Sequence, residues 1–153
     1  LNWKLGNKFT LLSSLGLLKA SFTDYSYQSD TNTLVNFDGR EQPQSPSYQY
    51  SIGGELALSQ NLVLSANIEG KDSYYFSTDH DFKSQSFNLV NASLEYLKGD
   101  WTITLWSRNL LDKAYDTRGF GSFGNDPADG YTTNLYTQKG EPRTFGVSVA
   151  WDY

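Results

Sequence analysis

His80 stands between Asp79 and Asp81, and an imidazole beside carboxylates is the chemistry of a metal ligand set. Successive side chains of an extended chain point to opposite sides, however, so this triplet makes a poor cage. The reading is a solvated loop tip, and no metal site is expected. A second group of chemistry-bearing residues lies between Arg118 and Lys139, where Phe120, Phe123, Tyr131 and Tyr136 are interspersed with Gly119, Gly121, Gly124 and Gly130, with Asp126-Pro127 and Asp129 between. A glycine-rich loop carrying rings and charges suits the capture and release of a ligand. Arg118, Phe120, Phe123, Tyr131 and Tyr136 are therefore the ligand-binding candidates, against the plainer alternative that the loop packs its rings on its neighbours.

Catalytic machinery is not found. The chain has no cysteine and one histidine, which leaves no thiol nucleophile, disulfide framework or cysteine metal site. Neither a Gly-x-Ser-x-Gly elbow, a phosphate-binding glycine loop nor a zinc signature occurs. Nothing sets two carboxylates across a cleft at the separation that glycoside hydrolysis needs. The expectation is a non-enzyme without a cofactor. Twelve basic residues against seventeen acidic ones give a net charge of −5, so no nucleic-acid partner and no polybasic membrane patch is expected.

The elements that must position such loops are strands. Alternation with period two dominates. Between Asn61 and Asp72, Leu62, Leu64, Ala66, Ile68 and Gly70 fall on one face, while Val63, Ser65, Asn67, Glu69 and Lys71 fall on the other. Phe145, Val147, Val149, Trp151 and Tyr153 oppose Thr144, Gly146, Ser148, Ala150 and Asp152. Short connections at Gly6-Asn7-Lys8, Ser59-Gln60-Asn61 and Lys98-Gly99-Asp100 alternate with long ones around residues 26–46, 78–84 and 118–141. That asymmetry is the habit of outer-membrane barrels.

Seven strands are expected, over residues 1–5, 8–25, 47–59, 61–77, 84–98, 101–117 and 142–153. Several exceed the roughly ten residues that cross a bilayer as a tilted strand, and they are longer than the roughly five or six usual in soluble sheets. Of the 24 aromatic residues, Tyr25, Tyr27, Tyr48, Tyr50, Tyr74, Tyr75, Phe76 and Tyr115 gather toward the long loops, and Trp3, Tyr96, Trp101, Trp151 and Tyr153 toward the short turns, as headgroup-zone rings do. The polar residues Asn67, Glu69, Lys71, Asn91, Ser93, Glu95, Thr102, Thr104 and Arg108 are expected to face the lumen in a structural role. No apolar run approaches the roughly 18 residues of a membrane-spanning helix. The odd strand count and an opening that reads as the tail of a strand lead to the expectation of a piece of a larger barrel.

Two late elements are specific. Asn109-Leu110-Leu111-Asp112-Lys113-Ala114-Tyr115 resembles the Asn-Leu-x-Asp-x-x-Tyr element near the end of TonB-dependent outer-membrane receptors. Gly140-Glu141-Pro142-Arg143-Thr144-Phe145 is similar to the Gly-x-Pro-Arg-x-Phe that opens that family's last strand. The motif residues are Asn109, Leu110, Asp112, Tyr115, Gly140, Pro142, Arg143 and Phe145. Weaker likeness extends upstream through residues 14–24 and 46–48. Thr144, Gly146, Val149, Trp151 and the terminal Tyr153 also fit the signal by which barrel-assembly machinery recognises its clients.

The resemblance implies an all-β fold in which residues 1–153 are the C-terminal antiparallel strands, about seven, of a large transmembrane β-barrel whose plug and N-terminal strands lie outside this chain. It implies a multi-pass protein of the Gram-negative outer membrane that binds and imports a scarce nutrient, with an iron–siderophore complex the commonest substrate class and cobalamin, haem and oligosaccharides the others. The implied partners are outer-membrane lipid, the barrel-assembly machinery, a small-molecule metal chelate, and the TonB energy-coupling complex acting through the N-terminal region. The alternatives are a complete small outer-membrane barrel with an adhesive or structural role, and a soluble carbohydrate-binding β-sandwich.

Overall fold

A computed structural model describes residues 1–29, 31–121, 127–132 and 134–153. Seven strands form one antiparallel sheet: β1 (Asn2–Leu5), β2 (Phe9–Leu17), β5 (Tyr48–Ser59), β6 (Leu62–Lys71), β7 (Phe87–Lys98), β8 (Trp101–Arg108) and β11 (Thr144–Trp151). They lie side by side in chain order, so each is hydrogen-bonded to the strand before and after it. β1 and β11 are the two edges. Two separate ribbons interrupt the numbering, β3 (Ser26–Gln28) with β4 (Leu34–Asn36) and β9 (Asp116–Gly121) with β10 (Leu135–Lys139).

The fold expectation holds: this is an all-β antiparallel sheet of seven strands. The short connections are where the sequence puts them, with Gly6 and Gly99 at φ +70° and +60°, a conformation that glycine adopts without steric cost. Strand ends on the other side differ from expectation. β2 stops at Leu17, β6 at Lys71 and β8 at Arg108, each several residues early. Beyond β8 the physical reason is visible, because Asn109 and Asp112 adopt φ +48° and +54°, left-handed conformations that turn the chain out of the sheet. The long connections are also less irregular than expected, since two of them contain the β3/β4 and β9/β10 ribbons.

Pairing register fixes the faces. Val149 pairs with Ile103 and Ser148 with Thr104; Leu94 pairs with Leu105 and Glu95 with Thr104; Asn67 pairs with Asn91 and also with Gly53. Cα partners share a face. One face therefore carries Leu15, Ile52, Leu64, Leu94, Leu105 and Val147, and the other carries Ser14, Ser51, Asn67, Ser93, Thr104 and Ser148. All nine polar residues assigned to the lumen fall on this second face. The apolar face stays uncovered, with Leu15 67%, Ile52 49%, Leu105 51% and Phe145 80% exposed.

The sheet has no core of its own. Among the described residues the buried hydrophobic side chains are Phe37, Tyr74, Phe76 and Leu89, and the first three lie in the long connections. Packing is concentrated where the loops meet, beyond the ends of the strands.

Candidate functional site

The two motif elements interlock at the loop end of the sheet. Asn109 is 3% exposed. Its Nδ2 donates to the carbonyls of Lys113 (3.0 Å) and Glu141 (2.9 Å), and its Oδ1 accepts the Lys113 N–H at 2.9 Å. Its own N–H donates to Asn91 Oδ1, and Asn91 Nδ2 reaches Glu69 Oε1 at 3.2 Å. A polar chain thus runs from β6 through β7 and the end of β8 to the segment that opens β11. Asp112 Oδ1 accepts the Arg143 N–H at 2.9 Å, Leu110 N–H donates to the Val90 carbonyl, and the Tyr115 ring lies where a Cβ on Gly140 would stand. Asn109, Asp112, Tyr115, Gly140 and Arg143 therefore form a latch that joins the last two strands and sets the base of the β9/β10 ribbon. Asparagine suits the central position because it tolerates φ > 0 and offers both a donor and an acceptor.

Three of the five ligand-binding candidates sit on that ribbon. Phe120 pairs with Tyr136 and Arg118 with Gln138, so Arg118, Phe120 and Tyr136 occupy one face. Phe120 is 47% and Tyr136 49% exposed, and Arg118 is exposed. Tyr131 lies apart at φ +60° and is 62% exposed, and Phe123 lies outside the described residues. The opposite face of the ribbon is structural. Gly119 is buried under the Phe76 ring, and Tyr74 OH donates to the Thr117 carbonyl at 2.9 Å. Burial pushes the Tyr74 phenol above its ordinary pKa. Lys139 pairs with Asp116 at 2.7 Å and holds that carboxyl below the usual carboxylate range.

A further junction, centred on Arg40, was not legible in the sequence. Its guanidinium lies between the Phe37 ring (4.8 Å) and the Tyr75 ring (4.3 Å), pairs with Asp81 at 3.0 Å, and donates to the carbonyls of Ser77 (3.2 Å) and His80 (2.7 Å). Lys83 meets Glu41 at 2.8 Å, and that hydrogen bond raises the lysine's pKa. Phe22, Tyr25, Tyr27 and Phe37 stack beside it with centroids 5.1 to 6.4 Å apart. Arg40 welds the connection after β2 to the connection after β6, and Tyr74 welds the latter to the β9/β10 ribbon. An arginine three residues after a phenylalanine in an aromatic-rich loop was the only available signal, and it is a weak one.

His80 departs from the expected solvated tip. Asp79 and Asp81 are exposed, but the imidazole is half-buried against Phe82, with ring centroids 5.1 Å apart. Asp81 turns to Arg40 instead of to His80. Among the described residues no group of three His, Asp or Glu is placed to hold a metal ion.

On the polar face, a groove of about 760 Å³ runs over Ser51, Gly53, Ser65, Asn67, Ser93 and Ser148. Nearer the loops, a second groove of about 560 Å³ is lined by Gln49, Glu69, Lys71, Leu89 and the Phe87–Tyr115 pair, whose centroids are 4.4 Å apart. Along β11, Gly146 lies under the Trp106 ring, whose Nε1 donates to Ser148 Oγ at 3.1 Å. Thr144 and Gly146 point with this polar face, while Val149 and Trp151 point with the apolar one.

No protein-family model matches the chain. Its fold is shared by solved structures. The ferric yersiniabactin uptake receptor FyuA from Yersinia pestis superposes with a TM-score of 0.78 at 17% identity, over 99% of this chain and 22% of that one. The siderophore receptor PiuA from Acinetobacter baumannii superposes with a TM-score of 0.73 at 15% identity, over 97% of this chain and 20% of that one. The chain spans about a fifth of the length of either structure.

Proposed function

We propose that the chain is the closing portion of a TonB-dependent outer-membrane receptor that binds a scarce nutrient, an iron–siderophore complex, at its extracellular face and imports it with energy relayed through TonB. The observation that carries this reading is the two-faced seven-stranded sheet, which shares its fold over nearly its whole length with two siderophore receptors. Elementary physics supports the membrane setting. Water does not tolerate a continuous apolar face of this extent, whereas lipid requires one, and lipid also requires that edges such as β1 and β11 find partners. Further strands of the same receptor supply those partners, and interior water or a plug satisfies the polar face.

In this arrangement the sheet is a wall and chemistry is confined to binding. Arg118, Phe120, Phe123, Tyr131 and Tyr136 are the proposed ligand contacts, with Arg118, Phe120 and Tyr136 on a ribbon held by the latch and the Tyr74 weld. TonB acts through the N-terminal region, and Thr144, Gly146, Val149, Trp151 and Tyr153 serve recognition by the barrel-assembly machinery.

The test is deletion of the full-length gene, followed by uptake of a panel of ferric chelates and growth under iron limitation. Loss of uptake of one chelate class, reproduced by loss of TonB, supports the reading. Unchanged uptake of every chelate overturns the substrate assignment. In the purified receptor, Phe120→Ala with Tyr136→Ala is expected to weaken chelate binding by roughly tenfold or more, as loss of aromatic anchors does.

A further inference from the structure

The weld between the connections after β2 and after β6 has an unusual member. Phe82 N–H donates to His80 Nδ1 at 3.3 Å, so the ring accepts at Nδ1 and carries its proton on Nε2. Nε2 is buried and has no partner among the described residues, and the same is true of Arg40 Nε. The charged groups of the junction are Arg40 and Glu41 from the first connection and Asp79, Asp81 and Lys83 from the second. Arg40 is bound to the His80 carbonyl and to the Asp81 carboxylate. Gln44 adds a backbone bond across the same junction, N–H to the Tyr75 carbonyl at 2.9 Å, and its Nε2 donates to the Phe76 carbonyl.

We infer that Arg40 and the 77–82 tip form an acid-released fastener between two loops of the candidate ligand-binding face, with the His80 imidazole as the proton sensor. The fastener needs a neutral ring. A second proton must go to Nδ1, where it meets the Phe82 N–H head on, so the Phe82 N–H loses its acceptor. The imidazolium then has no acceptor at Nε2, and Asp81, the carboxylate next to it in the chain, is already held by Arg40. Relief comes only when the tip turns and Asp81 changes partner. That turn carries the His80 carbonyl off Arg40 as well. Proton binding thus favours the released loop, and by linkage acid shifts the equilibrium toward it. Histidine is the side chain that changes charge between about pH 5 and 8. The use of this release in ligand handling rests on the uptake reading above. The release itself does not.

The experiment is amide hydrogen exchange on the purified full-length receptor in detergent micelles, without ligand, corrected for intrinsic exchange, from pH 8 to pH 5. Peptides covering residues 37–45 and 76–84 are expected to exchange roughly tenfold faster at pH 5 than at pH 8, while peptides from the sheet stay unchanged. His80→Asn preserves an oxygen that can accept the N–H two residues on and cannot take a proton, so it is expected to hold both peptides protected at pH 5. Arg40→Gln is expected to expose both at every pH. Equal protection of the wild-type loops across the range, or an acid response that survives His80→Asn, overturns the proposal. Because no ligand enters this measurement, failure of the uptake reading leaves its outcome intact, and its failure leaves uptake untouched.

Discussion

Asn109 Nδ2 donates to the Glu141 carbonyl at 2.9 Å across 32 residues of chain, and this contact turns two separate sequence elements into one device. Both strands of the β9/β10 ribbon lie between them, so the latch sets the base from which Arg118, Phe120 and Tyr136 are presented. Asn109→Ala would leave the Lys113 N–H and two carbonyls without their partner in a part-buried place. The expected loss is about 2–4 kcal/mol, since each unsatisfied buried group costs about 1–3 kcal/mol and part of the site rehydrates. Asn109→Asp should be nearly as harmful, because it keeps the acceptor for Lys113 N–H but sets a carboxylate against two carbonyl oxygens. Thermal unfolding of the full-length protein in detergent checks both; a shift no larger than that of a surface substitution would refute the latch.

The assignment of faces predicts an asymmetry between neighbours. Leu105 and Thr104 are adjacent in β8 but point to opposite sides. An arginine on the lipid side near the bilayer midplane costs about 2–4 kcal/mol, so Leu105→Arg should destabilise the folded barrel by about that amount in lipid vesicles. Thr104→Arg should cost far less, because its side chain meets water or polar neighbours. Equal effects would count against a membrane-facing apolar side.

Gly119 is occupied by its neighbour, in that a Cβ there would run into the Phe76 ring. Gly119→Val is expected to lift the β9/β10 ribbon off the connection below it, with a local loss of about 1–3 kcal/mol as in other overpacked sites. Tyr74→Phe, which removes only the hydroxyl bonded to the Thr117 carbonyl, should cost about 1 kcal/mol. Exchange protection of residues 116–121 reads both, and the valine variant should show the larger loss.

The Asp116–Lys139 pair gives the ribbon its own pH dependence, at lower pH than the His80 fastener. Lys139 depresses the Asp116 carboxyl, so the folded ribbon binds that proton less readily than the open one. The stabilisation is complete above the ordinary aspartate value, near pH 4, and is lost as pH falls through the lower value held in the ribbon. Lys139 is 69% exposed, so solvent screening limits the effect to less than about 1 kcal/mol. Exchange of residues 135–139 should rise between pH 4.5 and pH 2.5 in the native protein, and Asp116→Asn should remove that rise.

What sequence alone determined is local and periodic. A strand repeats every two residues, so Leu62 to Gly70 and Phe145 to Tyr153 declare their faces without reference to any other part of the chain. Gly6 and Gly99 likewise announce their turns by residue type. From these follow the seven strands and the split between the apolar and polar faces.

Tertiary structure decided the rest, because those features depend on residues far apart in the chain. Nothing near Asn109 shows that its amide reaches Glu141, although both elements stood out as motifs. Nothing near His80 shows that its ring turns inward, because the cause is Arg40, some forty residues earlier, binding the carbonyl and the carboxylate at that tip. Arg40, Tyr74 and Phe76 belong to long connections whose sequence carries no period, and their burial arises only when three connections meet above the sheet. Strand ends fall between these cases: β8 stops at Arg108 because the latch requires Asn109 in a left-handed conformation, a demand made by the strand that returns from the far side of the loop.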